Sequence, residues 1–158
     1  MDPKTLILDA LRSDGYTQCQ SMLRNPAGET EPMERRSPGV CSKPSYCAMG
    51  VIIDTYIKHH LADSVDHDEA WIWFDSYEFL PREVIEWAFG PKKVRTLGEQ
   101  IQGNLYIENP TTDYIGSENG CWPEDCSITE FNDFDDLTLI QIADIVEAEW
   151  RNIAFYPY

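Results

Sequence analysis

The run Tyr46-Cys47-Ala48-Met49-Gly50-Val51-Ile52-Ile53-Asp54-Thr55-Tyr56-Ile57-Lys58-His59-His60-Leu61 carries one apolar stripe. Met49, Ile52, Ile53, Tyr56, Ile57, His60 and Leu61 recur in it at three- and four-residue spacing. That period belongs to one face of an α-helix. Asp54 and Lys58 stand four apart on the flank, where opposite charges support a helix. The spacing predicts a helix that starts near Ser45 or Tyr46 and forms the centre of the core. The other elements then have to cover its apolar face.

Downstream, the acidic turn Asp63–Glu69 ends this helix. Ala70-Trp71-Ile72-Trp73-Phe74 is rich in strand formers between polar residues and reads as a strand. Leu80-Pro81 opens a short helix with Val84, Ile85, Trp87 and Ala88 as its apolar face, and Gly90-Pro91 ends it. Ile101, Gly103, Leu105 and Ile107 alternate with Gln102, Asn104, Tyr106 and Glu108, the period of a half-buried strand, expected at a sheet edge. Residues 109–127 are irregular, with Asn109-Pro110, Gly116, Gly120 and Trp122-Pro123. The last helix has the strongest local signature. Thr138 and Gln141 form a capping box, Leu137 is placed to staple onto Ile142, and Leu139, Ile142, Ala143, Val146 and Trp150 make its inner face.

Upstream, residues 24–45 hold Asn25-Pro26, Pro32, Pro38-Gly39 and Pro44 among charged residues, so they read as a long mobile loop. Tyr16–Leu23 reads as extended. A first helix is capped by Asp2, begins at Pro3, presents Leu6, Ile7, Ala10 and Leu11 on one face, and stops by Gly15. The expected architecture is α+β: one domain spanning residues 1–158, about four helices packed with a small antiparallel sheet, and two long irregular loops (24–45 and 109–127).

The chain has 158 residues, 42% of them hydrophobic and 12% aromatic, enough for a core without disulfides or metal. Its charge is one-sided, with 28 Asp and Glu against 12 Lys and Arg, a formal net of −16. Residues 1–53 are neutral overall, residues 54–95 carry −4, and residues 96–158 carry −12 with Arg151 as their single base. Such a field repels phosphate backbones and anionic lipid, which argues against direct nucleic-acid binding and a polybasic membrane anchor. No apolar run approaches the length of a membrane span, and Met1-Asp2-Pro3-Lys4 does not open like a signal peptide. A cytoplasmic protein is expected. The odd number of cysteines (Cys19, Cys41, Cys47, Cys121 and Cys126) fits reduced thiols.

Motifs for chemistry are sparse. Cys47, near a helix start, sits where a thiolate is favoured, but a nucleophile needs a base. His59 and His60 lie three turns along the same helix and His67 follows in the acidic turn, so a packing thiol is the expectation. The cysteine spacings do not match structural zinc pairs. Asn132-Asp133-Phe134-Asp135-Asp136 lacks the spacing of a calcium loop, and acids ahead of a helix complement its dipole without a metal. The phosphate-loop, dinucleotide and hydrolase glycine motifs do not occur. No catalytic residue, metal or cofactor is therefore assigned.

Several segments carry a resemblance. Ala10-Leu11-Arg12-Ser13-Asp14-Gly15-Tyr16-Thr17-Gln18 is similar to the "ALRSG-x-Y-x-Q" opening of a family of small uncharacterised bacteriophage and prophage proteins. Tyr46–Asp54 resembles that family's aromatic followed by "CCLGVLCD", and Leu80-Pro81-Arg82-Glu83-Val84 its "LP-x-x-V". Phe131-Asn132-Asp133 and Leu139–Glu147 resemble its "LND" and "F-x-x-IADLIE". Ala48 and Ile53 stand where the motif has two of its three cysteines. The resemblance implies phage ancestry and assigns no chemistry.

From these readings we expect a phage-encoded acidic accessory protein that binds a basic surface of a host protein and inhibits or redirects it, as an anti-defence factor imitating the charge of DNA. The expected partner-facing acids are Asp113, Glu118, Glu124, Asp125, Glu130, Asp133, Asp135 and Asp136. The alternative is a pocket that sequesters or degrades a small nucleotide immune signal. It would use Arg12, Arg24, Arg35, Arg36, Lys92, Lys93 and Arg95 for the phosphates, and Trp71, Trp73 and Trp122 for the base.

Overall fold

The computed structural model describes residues 2–19, 23–25, 45–60, 74, 77–108, 127–133 and 137–157. Six helices occur among them: α1 (Pro3–Arg12), α2 (Ala48–His60), α3 (Arg82–Phe89), α4 (Pro91–Val94), α5 (Ile128–Asp133) and α6 (Leu139–Ala148). The strands are β1 (Thr17–Gln18), β2 (Arg24–Asn25), β3 (Ser45–Tyr46), β4 (Leu80–Pro81), β5 (Gln102–Ile107) and β6 (Ile153–Pro157). Short 3-10 turns cover Arg95–Leu97 and Trp150–Asn152. The fold is α+β, as the sequence predicts.

The central helix is there, but it begins at Ala48. Ser45 and Tyr46, expected to open it, form β3 instead, the middle strand of a small sheet ordered β1-β3-β2. Strand β1 pairs parallel to β3 with Thr17 opposite Ser45, and β2 pairs antiparallel with Arg24 opposite Tyr46. The expected loop over 24–45 therefore starts with a strand. Strand pairing wins at Tyr46 because both of its neighbours supply partners at once.

Gly50 explains how the helix meets this sheet. The Leu23 carbonyl accepts a hydrogen bond from the Cys47 N–H at 3.2 Å. That same carbonyl oxygen would lie 1.8 Å from a Cβ at position 50. Only glycine lets the first turn of α2 come this close to backbone.

The second sheet is antiparallel and ordered β4-β5-β6. Strand β5, expected at an edge, is central, with Leu80 of β4 opposite Gly103 on one side and Phe155 of β6 opposite Leu105 on the other. Ile101, expected to begin its inward face, is exposed. Asn104, expected on the polar face, is buried and its side-chain oxygen accepts from the Thr129 hydroxyl at 3.2 Å. A strand flanked on both sides and covered by helix α5 has little solvated face left for strict alternation.

The remaining helices follow their caps. Asp2 accepts the Thr5 N–H at 3.1 Å ahead of Pro3, and both halves of the Thr138–Gln141 capping box form. Helix α3 stops at Gly90, whose φ of +96° few other residues adopt. One core joins α1, α2, α3, α5 and α6 to the second sheet through Ile7, Ile52, Ile85, Leu105, Phe131 and Ile142. Trp150, expected inside, is half-buried, with Phe89 stacked on it at 4.8 Å and the Lys4 ammonium 5.4 Å from its ring centre. Among the described residues no helix is long and apolar enough to cross a membrane. Of the expected strand Ala70–Phe74 only Phe74 is described, and its backbone is helical rather than extended; the rest lie outside the described residues, as do most of 24–45 and nearly all of 109–127.

Candidate functional site

The polar residues of the widely separated sequence blocks meet one another. Arg12, in the last turn of α1, donates to Asp144 at 2.8 Å and to Glu147 at 3.2 and 3.3 Å, both on α6. Those bonds hold the Glu147 carboxyl below its ordinary value. Tyr16 donates to the Asp54 carboxylate at 2.5 Å, and Lys58 donates to the same oxygen at 2.8 Å and to the phenol oxygen at 3.3 Å. Gln18 donates to the Asn132 side-chain oxygen at 2.9 Å and to the Leu137 carbonyl at 2.8 Å.

Asn132 forms the most constrained of these junctions. It is buried, its amide nitrogen donates to the Cys19 carbonyl at 2.8 Å, and its oxygen accepts from the Ala48 N–H at 3.2 Å. One rung earlier, the Cys19 N–H bonds directly to the Tyr46 carbonyl at 3.0 Å. In a parallel ladder the next bond would join the Cys19 carbonyl to the Ala48 N–H. The Asn132 amide fills that place, with a donor and an acceptor on one planar group. It thereby extends the β1–β3 ladder into the start of α2.

The Tyr16–Asp54–Lys58 cluster is the nearest arrangement to a catalytic constellation among the described residues, and its chemistry is that of a strut. Burial, followed by the hydrogen bond to Asp54, raises the Tyr16 phenol far above its ordinary value. A phenol held protonated in this way supplies neither a base nor a nucleophile near neutral pH. Tyr46 meets Tyr16 edge-on at 5.2 Å and Phe74 at 5.8 Å, and the Arg24 guanidinium lies 5.7 Å from the Tyr46 ring centre and 5.3 Å from that of Phe74. These contacts seat the helix on the small sheet.

Cys47 is buried immediately before α2, and its sulfur accepts the Gly50 N–H at 3.4 Å as a helix cap. His59 is exposed, while His67 and the His60 side chain lie outside the described residues. No group of three or more potential metal ligands occurs among the described residues.

Of the expected partner-facing acids, Glu130 is half-buried in the first turn of α5, and Asp133 ends that helix with only its backbone described. Asp113, Glu118, Glu124, Asp125, Asp135 and Asp136 lie outside the described residues. Of the expected anion-binding set, Lys92 and Lys93 share α4 and Arg95 begins the turn after it, whereas Arg12 and Arg24 are engaged elsewhere. Arg35, Arg36, Trp71, Trp73 and Trp122 lie outside the described residues.

Residues 35–150 match the family described as a domain of unknown function, DUF8296, a span well over half of the chain. The chain belongs to the DUF8296 family. No curated protein and no solved structure matches it. In this DUF8296 protein, helix α1, strands β1 and β2 and the turn between α1 and β1 precede the matched span, yet they supply Arg12, Tyr16, Gln18 and Arg24 to the contacts above.

The disposition of charge is the feature that sequence reasoning missed. Lys4, Arg12, Arg24, Lys58, Arg82 and Lys93 all turn their charge onto the protein itself. Arg82 donates to the Gly98 and Gln100 carbonyls at 2.8 and 3.0 Å, and Lys93 to the Ile153 carbonyl. Asp9, Asp14, Glu78, Glu83, Glu86, Glu99 and Glu108 are exposed. A count of charges along the sequence weights every residue alike. Among the described residues most carboxylates face water, the buried Asp54 and Glu149 excepted, and the cations Lys92, Arg95 and Arg151 are exposed as well.

Proposed function

We propose that this DUF8296 protein is a phage- or prophage-encoded acidic accessory factor. It works in the host cytoplasm, where it binds a basic protein and inhibits or redirects it. The target class is a host defence enzyme whose cationic groove normally receives DNA. The supporting observation is that six of the nine described cations contact the protein itself, while seven carboxylates outside its ion pairs stand exposed. With a formal charge of −16, that arrangement favours a field of one sign around the molecule, which speeds encounter with a positive surface and discourages encounter with nucleic acid. The polar clusters of the core act as struts, so the reading asks for no chemistry beyond binding.

The test is a tagged capture from bacterial lysate at physiological and at high salt, with mass spectrometry of proteins and nucleotides in the eluate. Raising the ionic strength from about 0.15 M to about 1 M shortens the screening length from ~8 Å to ~3 Å. A stoichiometric basic protein, released as salt rises, is the expected result. A co-purifying nucleotide with no protein partner would overturn the proposal in favour of the pocket reading.

A further inference from the structure

We propose that Cys19 and Cys47 form a reversible disulfide when the protein meets a hydroperoxide, which ties the end of β1 covalently to the start of α2. The step asks nothing of a partner protein, and it uses two side chains to which binding gives no part.

The small sheet sets the two cysteines side by side. Thr17 is opposite Ser45 and Gln18 opposite Tyr46 in the parallel pair, so the next row brings Cys19 opposite Cys47. The Cys19 N–H bonds to the Tyr46 carbonyl at 3.0 Å, the bond that this row requires in a parallel ladder. On the other side of β3 the antiparallel register continues to Leu23 opposite Cys47, closed by the bond of the Cys47 N–H to the Leu23 carbonyl at 3.2 Å. Residues of one row point to one face of a sheet. The preceding row obeys this, with the Arg24 guanidinium over the Tyr46 ring. Cys19, Cys47 and Leu23 therefore share the opposite face. Neighbouring strands run about 4.8 Å apart, and a disulfide spans Cα separations of roughly 4.4–6.8 Å. Asn132, bonded to both the Cys19 carbonyl and the Ala48 N–H, keeps the row together at its open end.

The two sulfurs suit different parts of the chemistry. Cys19 is half-buried, within reach of a small oxidant, whereas Cys47 is buried. The Cys47 sulfur accepts the Gly50 N–H at 3.4 Å at the N-terminus of the 13-residue α2, a place that favours negative charge on sulfur. The Cys19 thiolate attacks one oxygen of hydrogen peroxide. An S–O bond forms, the O–O bond breaks, and the hydroxide that leaves takes up the thiol proton to become water. The Cys47 sulfur then attacks the sulfenic sulfur. The S–S bond forms, the S–O bond breaks, and the second hydroxide leaves as water with the Cys47 proton. Two thiols lose two electrons, and the peroxide is reduced to two molecules of water. A dithiol reverses the bond by exchange. Disulfides of cytoplasmic proteins are mostly transient and oxidant-sensing, and a bond made on demand between two ready-aligned thiols serves that use.

The experiment is titration of the reduced full chain with hydrogen peroxide, in native buffer and in concentrated urea, followed by iodoacetamide quenching and peptide mass spectrometry. Tandem fragmentation tells Cys47 from Cys41, which shares its tryptic peptide because Lys43 precedes Pro44. In the native chain we expect Cys19–Cys47 to be the main cross-link, reversed by dithiothreitol and lost in Cys19→Ser and in Cys47→Ser. In urea the pairs that close the shortest loops, Cys121–Cys126 and Cys41–Cys47, should take its place. Circular dichroism checks the fold of the two variants, and the wild-type cross-link is decisive without them. Native linkage of Cys19 mainly to any other cysteine would overturn the proposal. So would a Cys19 that is oxidised to the sulfinic acid without a cross-link, or one that peroxide leaves untouched.

Discussion

Asn132 bridges two backbone groups that the strand ladder leaves unjoined. Its amide closes the gap between the Cys19 carbonyl and the Ala48 N–H while receiving Gln18. Asn132→Ala removes the side-chain partner of the buried Ala48 N–H and one bond each from the Cys19 carbonyl and the Gln18 amide, which keeps Leu137, and an unsatisfied buried group costs about 1–3 kcal/mol. We expect the substitution to lower unfolding free energy by about 3 kcal/mol in a urea titration, and Gln18→Ala to cost much less. Equal effects would show that the ladder does not depend on the inserted amide. Both residues stand in segments that the sequence reading singles out, so their presence was legible. Their partnership was not, because 114 positions separate them and no local period links them.

At the level of elements, strand β6 shows how an open edge is closed without another strand. The carbonyls of Ile153 and Phe155 point away from β5. Lys93 bonds to the first and the Thr96 hydroxyl to the second, the latter at 3.3 Å. Unpaired edges invite pairing with a second chain. The double substitution Lys93→Ala/Thr96→Ala should therefore promote self-association, seen as a concentration-dependent rise in mass by light scattering, while single variants remain closer to wild type. A double variant that stays monomeric at high concentration would show that the edge is protected in another way. Helices α1, α2, α3 and α6 and strand β5 were readable because each is long enough to express its period or its caps. Strands β1 to β4 have two residues apiece and α5 has six, too short for a period to emerge. Strand β6 was missed because Ile-Ala-Phe-Tyr-Pro lacks alternation, its edge being covered by Lys93 of α4 and Thr96 of the turn that follows. The central place of β5 was hidden for the same reason, since it depends on β6.

For the whole molecule, the charge that suits a basic partner works against the free fold. Carboxylates crowded on a compact body repel one another more than on an expanded chain. Added salt screens that repulsion. We expect the thermal midpoint to rise by several degrees between about 0.01 M and about 0.15 M sodium chloride, against little change for a near-neutral domain of this size. A flat or falling midpoint would mean that the ion pairs of Arg12 and Lys58 matter more to the fold than the net field does. The same reasoning sets binding and stability in opposition, because the salt that strengthens the fold weakens the encounter with the partner.

The clasp of Arg12 on Asp144 and Glu147 joins residues 132 and 135 positions apart. During synthesis, α1 leaves the ribosome long before the helix that receives it exists. Its apolar face, with Ile7, Leu8 and Leu11, can first settle on α2, but the clasp itself has to wait until α6 has been made. Long-range closure of this kind is slow compared with local helix formation. Until α6 arrives, Arg12 faces water, and the neutral residues 1–53 precede the strongly acidic residues 96–158 that it will be tied to.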